Sequence, residues 1–142
     1  MDPNNPVVKL CAEGMQAEAE GRPDEARALF NQAWAASQDD YDRCVAAHFV
    51  ARGQDSPQQM LQWNLEALAR AKAVGDERIR SFYPSLYLNL GYSYETLGNR
   101  AEARRRYELA AEGLDDLPPG PYGDLVREGV ARGLERTGLV HY

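Results

Sequence analysis

The sequence has few of the residues that would assign it to several common protein classes. It contains two cysteines, Cys11 and Cys44. They are too few for a disulfide framework and lack the neighbouring Cys or His of a zinc site, so we expect both to be small buried residues. No run approaches the roughly 20 apolar residues of a membrane helix, and the N-terminus lacks the pattern of a signal peptide. These absences predict a cytoplasmic protein without membrane contact.

Positive charge is also scarce. Lys and Arg number 16 against 22 acidic residues, which gives a net charge of -6 and a pI near 4.9. Because affinity for nucleic acids comes largely from Lys and Arg at phosphates, we expect neither DNA nor RNA as a partner. Only Lys9 and Lys72 are lysines, and this bias towards Arg favours a GC-rich bacterial source.

An internal repeat is present in this chain of 142 residues, which has the length of one domain. Seven residues of the first copy recur 77 positions later as the same or a similar residue. They are Gly14, Gly21, Glu25, Ala26, Arg27, Phe30 and Ala33, and then Gly91, Gly98, Glu102, Ala103, Arg104, Tyr107 and Ala110. Each copy has the spacing of a helix, a tight turn and a second helix. Ala and Gly let the two helices approach closely, and an aromatic ring fills the space above them.

The segments outside the two copies also read as helices. The pattern predicts helices from about Tyr41 to Arg52 and from about Gln58 to Val74, with Ser56 as the cap of the second and Gly75-Asp76 as its end. The segment Glu77 to Tyr83 is the least defined and could add an extra helical turn. After the proline-rich run that ends at Pro121, an apolar stripe predicts a capping helix at about 121–137: Leu125, Val126, Val130 and Leu134. Its polar outer face would be Arg127, Glu128, Arg132, Glu135 and Arg136.

These spacings resemble the tetratricopeptide repeat, a unit of about 34 residues with the pattern W-x2-L-G-x2-Y, A-x3-F and P. The segment Pro84 to Leu117 matches best, through Tyr87, Leu90, Gly91, Tyr94, Ala103 and Tyr107, with Asp115 in place of the closing proline. Val7 to Asp40 matches through Leu10, Gly14, Ala26 and Phe30, and the middle unit has Cys44, Ala47, His48 and Ala51 at the first-helix positions. The resemblance implies an all-α fold. It would be a single α-solenoid domain over 1–142, with three hairpins at about 7–40, 41–83 and 84–117, a capping helix and about seven helices in all.

The same resemblance implies a function in protein–protein interaction, because such arrays bind peptides or proteins in a concave groove lined by first helices. The groove positions carried over by register are Val8, Cys11, Met15, Val45, Phe49, Arg52, Leu88, Tyr92 and Glu95. This surface lacks the Lys, Asn and Arg set that clamps chaperone tails. It suits an amphipathic helix or an extended apolar segment, with Phe49 and Tyr92 as anchors and Met15 as an adaptable contact. Two alternatives remain open: the same residues pack on the final helix, or the chain forms a structural homodimer through the groove or the final helix.

The sequence predicts no catalytic, cofactor or metal site. His48 lies mid-helix among apolar residues, and His141 lies next to the C-terminus. The acidic run Asp39 to Asp42 lacks the Gly and Glu of a calcium loop and is better explained as a helix cap. The basic run Arg104 to Arg106 has carboxylates at four-residue spacing, which favours a solvated face over a site for an acidic partner. A cryptic hydrolase or transferase using His48 is the less favoured alternative.

Overall fold

The computed structural model describes residues 2–138 and is all-helical there, as the sequence predicts. The α-helices are α1 (Pro6–Ala19), α2 (Pro23–Ala36), α3 (Asp40–Arg52), α4 (Pro57–Val74), α5 (Glu77–Arg80), α6 (Tyr83–Thr96), α7 (Arg100–Glu112) and α8 (Pro121–Thr137), and a 3-10 turn covers Leu114–Asp116. The described part therefore has eight α-helices where the sequence predicted seven. The extra one is α5, a single turn capped by the side chain of Asp76. His141 lies outside the described residues.

The chain divides into two compact units, where the sequence predicted one domain. The N-terminal unit (residues 2–75) contains α1 to α4, and the C-terminal unit (residues 76–138) contains α5 to α8. The division follows the end of α4, where Gly75 adopts a left-handed conformation with φ 65°. The predicted end of this helix at Gly75-Asp76 is confirmed.

Polar side chains begin several helices at the predicted positions. The Ser56 hydroxyl accepts a hydrogen bond from the Gln59 amide at 3.2 Å and caps α4. The Asp39 carboxylate accepts one from the Asp42 amide at 2.8 Å, so the acidic run caps α3 as expected. Each such cap satisfies a backbone donor that the first helical turn leaves open.

The two copies of the repeat make the same turn between their helices. Gly21 has φ 76° and Gly98 has φ 84°, values that side chains other than Gly rarely adopt. The residue after each glycine donates its amide to a carbonyl five positions back: Arg22 to Ala17 at 2.8 Å, and Asn99 to Tyr94 at 2.9 Å. This closing bond of a Schellman motif fixes how the second helix leaves the first.

A second shared feature is an aromatic ring packed on a glycine. A Cβ atom added to Gly14 would lie 2.3 Å from the Phe30 ring, and one added to Gly91 would lie 2.5 Å from the Tyr107 ring. Both rings are buried. No side chain other than hydrogen therefore fits at either glycine without moving the ring, which explains why the repeat contains Gly at these positions.

The helix that follows each of these two hairpins covers the ring from another side. In the N-terminal unit α3 packs on α1 and α2, and Phe49 stacks on Phe30 with ring centroids 5.4 Å apart. In the C-terminal unit α8 packs on α6 and α7, and Gly133 meets the Tyr107 ring. The helix predicted as a cap thus takes the place on α6 and α7 that α3 takes on α1 and α2.

Helix α3 is buried along most of its length, because α1 and α2 pack on it and α4 packs on it as well. Every residue from Cys44 to Ala51 is buried. Cys11 and Cys44 are both in the interior, as predicted, and burial raises the pKa of each thiol to about 12. The folded chain therefore holds both thiols in their unreactive protonated form at neutral pH.

Helix α8 has the polar outer face that the sequence predicted. Of the five predicted residues, Arg127 is half-buried. The other four are exposed: Glu128, Arg132, Glu135 and Arg136. The prediction is wrong for Leu125, which was placed in the apolar stripe but is 68% exposed. Val126 and Val130 of the predicted stripe are buried, and Leu134 is partly buried against them. The other buried residues of α8 are Gly123, Gly133 and Thr137.

Candidate interaction surfaces

Three of the nine predicted groove residues lie in the core of the N-terminal unit. Cys11, Val45 and Phe49 are each almost fully buried in one hydrophobic cluster. The reason is the side-by-side packing of α1 and α3, which turns these positions towards the neighbouring helix. They do not line an open surface, and Phe49 is not available as an anchor for a partner.

Two further predicted groove residues form ion pairs between neighbouring helices. Arg52 of α3 donates to the Glu18 carboxylate at 2.7 Å, and Glu95 of α6 accepts from Arg136 of α8 at 2.8 Å. The partners Glu18 and Arg136 were not among the predicted site residues. The sequence does contain a signal for Glu18, because it recurs 77 positions later as Glu95.

The final helix covers part of the predicted surface in the C-terminal unit. Leu88 is half-buried, and a Cβ on Gly129 would lie 3.0 Å from its Cδ2 atom. Ser85 and Tyr122 are hydrogen-bonded further towards the N-terminal ends of the same two helices. Of the alternatives left open by the sequence, packing on the final helix therefore describes Leu88 and Glu95.

Met15 and Tyr92 remain accessible. Met15 is 40% exposed and Tyr92 is 57% exposed, and they occupy the same position in the two copies of the repeat. Val8, the last predicted groove residue, is half-buried on α1. Among residues 2–138, the other large apolar side chains that are exposed are Tyr122 and Leu125 of α8.

Met15 borders a shallow depression in the N-terminal unit. The depression has a volume of about 400 Å³ and is lined by Met15, Glu18, Ala19, Pro23 and Arg52. It brings together two predicted groove residues, Met15 and Arg52, with three that the sequence did not single out. A second, smaller depression of about 210 Å³ shares Glu18, Pro23 and Arg52 with the first. Its other lining residues are Ala26, Arg27, Phe30, Gly53, Gln54 and Asp55.

The exposed side of α1 leads into this depression. Val8, Ala12, Met15 and Ala19 recur at helical spacing and are half-buried or exposed. The two alanines leave room on either side of Met15, whose unbranched side chain adapts to different shapes. This stripe and the apolar side of the depression, formed by Met15, Ala19 and Pro23, together form an apolar surface of the N-terminal unit.

A cluster of three polar groups joins the helices of the C-terminal unit. The Tyr107 hydroxyl donates to Glu95 at 2.7 Å, and Arg136 donates to the same carboxylate. The bond from Arg136, with a smaller contribution from Tyr107, lowers the pKa of Glu95. Burial and the bond to Glu95 raise the pKa of the Tyr107 phenol. The cluster is therefore a stable ion pair with a neutral phenol, which suits a structural link between α6, α7 and α8.

The arginines of α7 mostly form hydrogen bonds and ion pairs within the C-terminal unit. Arg104 donates to the Leu134 carbonyl at 2.9 Å, and Arg100 donates to that of Gly138, so both satisfy acceptors at the end of α8. Arg106 pairs with Glu102 at 3.0 Å, as the four-residue spacing predicts. The side chain of Arg105 is 68% exposed and lies 3.7 Å from the same Glu102 carboxylate. This use of the side chains favours the solvated-face interpretation over an acidic partner.

The histidine that could act in catalysis, His48, is buried. His48 is 7% exposed, and burial, with a smaller effect of Arg52, lowers its pKa to about 4.

Among residues 2–138 no group of three His, Cys, Asp or Glu side chains could hold a metal ion. Within the same residues, no helix combines the length and apolar character of a membrane span. Comparison with protein-family models and with curated proteins finds no match to this chain.

Proposed function

We propose that this chain is a protein-interaction module of the tetratricopeptide type, without enzymatic activity, that acts in the bacterial cytoplasm. It binds another protein through α1 and α6, the first helices of the two copies of the repeat. The repeated glycine turn, the repeated ring-on-glycine contact and the repeated ion pair support the repeat type. The burial of His48 counts against catalysis, because only 7% of the residue is exposed to a substrate.

One observation carries the proposal. Met15 and Tyr92 occupy the same position in the two copies, and both are exposed. One helical turn earlier, Cys11 and Leu88 are covered by the next helix, which is α3 in the first copy and α8 in the second. An exposed thioether and an exposed phenol gain free energy when a partner covers them. Met15 in addition borders a depression that can accept a side chain.

Site-specific crosslinking tests the proposal. A photoreactive phenylalanine analogue is placed at Met15 or Tyr92, and in matched controls at Asn31 or Glu108, which are exposed and also share one repeat position. We expect the same partner protein to crosslink from 15 and 92 and not from 31 and 108. The purified partner should then bind Met15→Asp or Tyr92→Asp at least tenfold more weakly than the wild type and bind Asn31→Asp normally. Equal crosslinking from all four positions would contradict the proposal.

A structural homodimer through the final helix is a second candidate. It is favoured by Tyr122 and Leu125, which are 52% and 68% exposed on the same helix. Sedimentation equilibrium over a hundredfold concentration range distinguishes the candidates. A dimer predicts that the mass of the wild type rises with concentration and that Leu125→Glu remains a monomer, whereas an interaction module alone predicts a monomer for both.

A further inference from the structure

The depression beside Met15 has charges on one side and apolar atoms on the other. Met15, Ala19 and Pro23 supply the apolar wall, and the Arg52–Glu18 pair supplies the opposite one. Both oxygens of Glu18 accept from the same guanidinium, at 2.7 and 3.4 Å. Arg52 is therefore already neutralised and offers little to an acidic ligand.

The chain segments that border the depression, residues 18–27 and 52–55, contain more carboxylates than arginines. Arg22 bonds to Glu20 and Glu25, and Arg27 pairs with Asp55 at 3.2 Å. Asp24 lies next to Pro23 in the first turn of α2 and makes no ion pair with another described residue. The side chain of Asp55 is 86% exposed, and only its Oδ1 is within hydrogen-bond distance of Arg27. A donor from outside can therefore reach the second oxygen of Asp55 and the carboxylate of Asp24.

From these contacts we infer that the depression of the N-terminal unit binds a protein segment in which an apolar side chain is followed closely by Lys or Arg. The apolar side chain lies against Met15, Ala19 and Pro23, and the basic one bonds to Asp55 or Asp24. The net charge of -6 attracts such a segment over a longer range and speeds its association. The inference rests on the proposed function and specifies the partner chemistry of one of its two exposed positions.

A peptide selection tests this inference. A displayed library of random 12-residue peptides is selected on the purified chain, and enriched peptides are measured individually by fluorescence anisotropy. We expect enrichment of an apolar residue within two positions of Lys or Arg. Affinity should fall at least tenfold in Ala19→Phe, which fills the depression, and at least threefold in the Asp24→Asn, Asp55→Asn double variant. It should also fall as the salt concentration rises.

Matched variants separate the site from general effects. Ala35→Phe adds the same ring at an exposed position of α2, and Glu112→Gln with Asp116→Asn removes the same charge from the C-terminal unit. Both should bind as the wild type does. Enrichment of acidic or uncharged peptides that still lose affinity in Met15→Asp would overturn this inference and leave the proposed function standing. An empty selection also overturns the inference, and if no crosslink forms from position 15 or 92 the proposed function fails with it.

Discussion

Glu18 and Glu95 lie 77 positions apart and accept the same pair of hydrogen bonds from an arginine of the neighbouring helix. In both pairs the arginine Nε faces Oε2 and its Nη2 faces Oε1, at 3.4 and 2.7 Å for Arg52 and at 2.8 and 3.1 Å for Arg136. Because a bidentate pair fixes orientation as well as distance, it sets how the next helix lies against the first. The same device thus holds α3 on α1 and α8 on α6.

We expect the Glu95–Arg136 pair to stabilise the C-terminal unit more than an ordinary surface pair does. The Tyr107 hydroxyl shares the carboxylate, and the pair joins two helices. A double-mutant cycle with Glu95→Gln and Arg136→Gln should give a coupling of about 1 kcal/mol in urea unfolding, the upper end for half-exposed pairs. The control cycle uses Glu128 and Arg132, an exposed pair within α8, and should give less than about 0.5 kcal/mol. Equal couplings would refute the assignment.

The contribution of Glu95 should depend on pH in the acid range. Its pKa is lower in the folded chain than in the unfolded chain, chiefly because Arg136 donates to it. The folded state therefore binds a proton less readily, so the stabilisation is complete above the unfolded pKa of about 4.3 and is lost as the pH falls through the folded pKa. The stability difference between the wild type and Glu95→Gln should shrink in this range. A difference independent of pH would contradict the role of the carboxylate charge.

Gly14 and Gly91 should not tolerate even a methyl group. A Cβ atom would lie 2.3 Å from Phe30 or 2.5 Å from Tyr107, so Gly14→Ala and Gly91→Ala must displace a buried ring at a cost of about 1–3 kcal/mol each. Gly53→Ala is the control, since its backbone has φ -93° and the added Cβ would make an ordinary contact of 3.4 Å. Trp34 and Trp63 both belong to the N-terminal unit, so tryptophan fluorescence can follow the Gly14 and Gly53 variants in urea. Similar midpoints for these two variants would show that the ring can move freely.

The repeat and the helix boundaries were predictable because local residues determine them. Gly21, Ser56 and Pro121 each leave a signal within a few positions of the helix end they define. The open surface was less predictable, because it depends on which face of a helix its neighbour covers. Cys11 and Met15 are four positions apart and both apolar, yet α3 buries only the first. Helix α5 was uncertain for a related reason: one turn capped by Asp76 has too few residues to show a helical period.

His48 should make the folded chain less stable below neutral pH. Its pKa is about 4 in the folded chain, mainly because burial disfavours the charged ring, whereas an unfolded histidine titrates near 6.5. Above about pH 6.5 the ring is neutral in both states, so its protonation does not change the free energy of unfolding. Between about pH 6.5 and pH 4 only the unfolded chain takes up the proton. His48 alone should therefore lower the free energy of unfolding by about 1.4 kcal/mol for each unit by which the pH falls in this range.

Urea unfolding between pH 7 and pH 5.2 measures this slope before most carboxylates titrate. We expect His48→Gln to be less stable at neutral pH because a polar amide replaces a packed ring, but its unfolding free energy should be nearly constant across the range. His141→Gln is the control and should keep the slope of the wild type. If His48→Gln keeps the slope and His141→Gln loses it, the buried ring is not the group that couples protonation to folding, and an accessible His48 would reopen the enzymatic alternative.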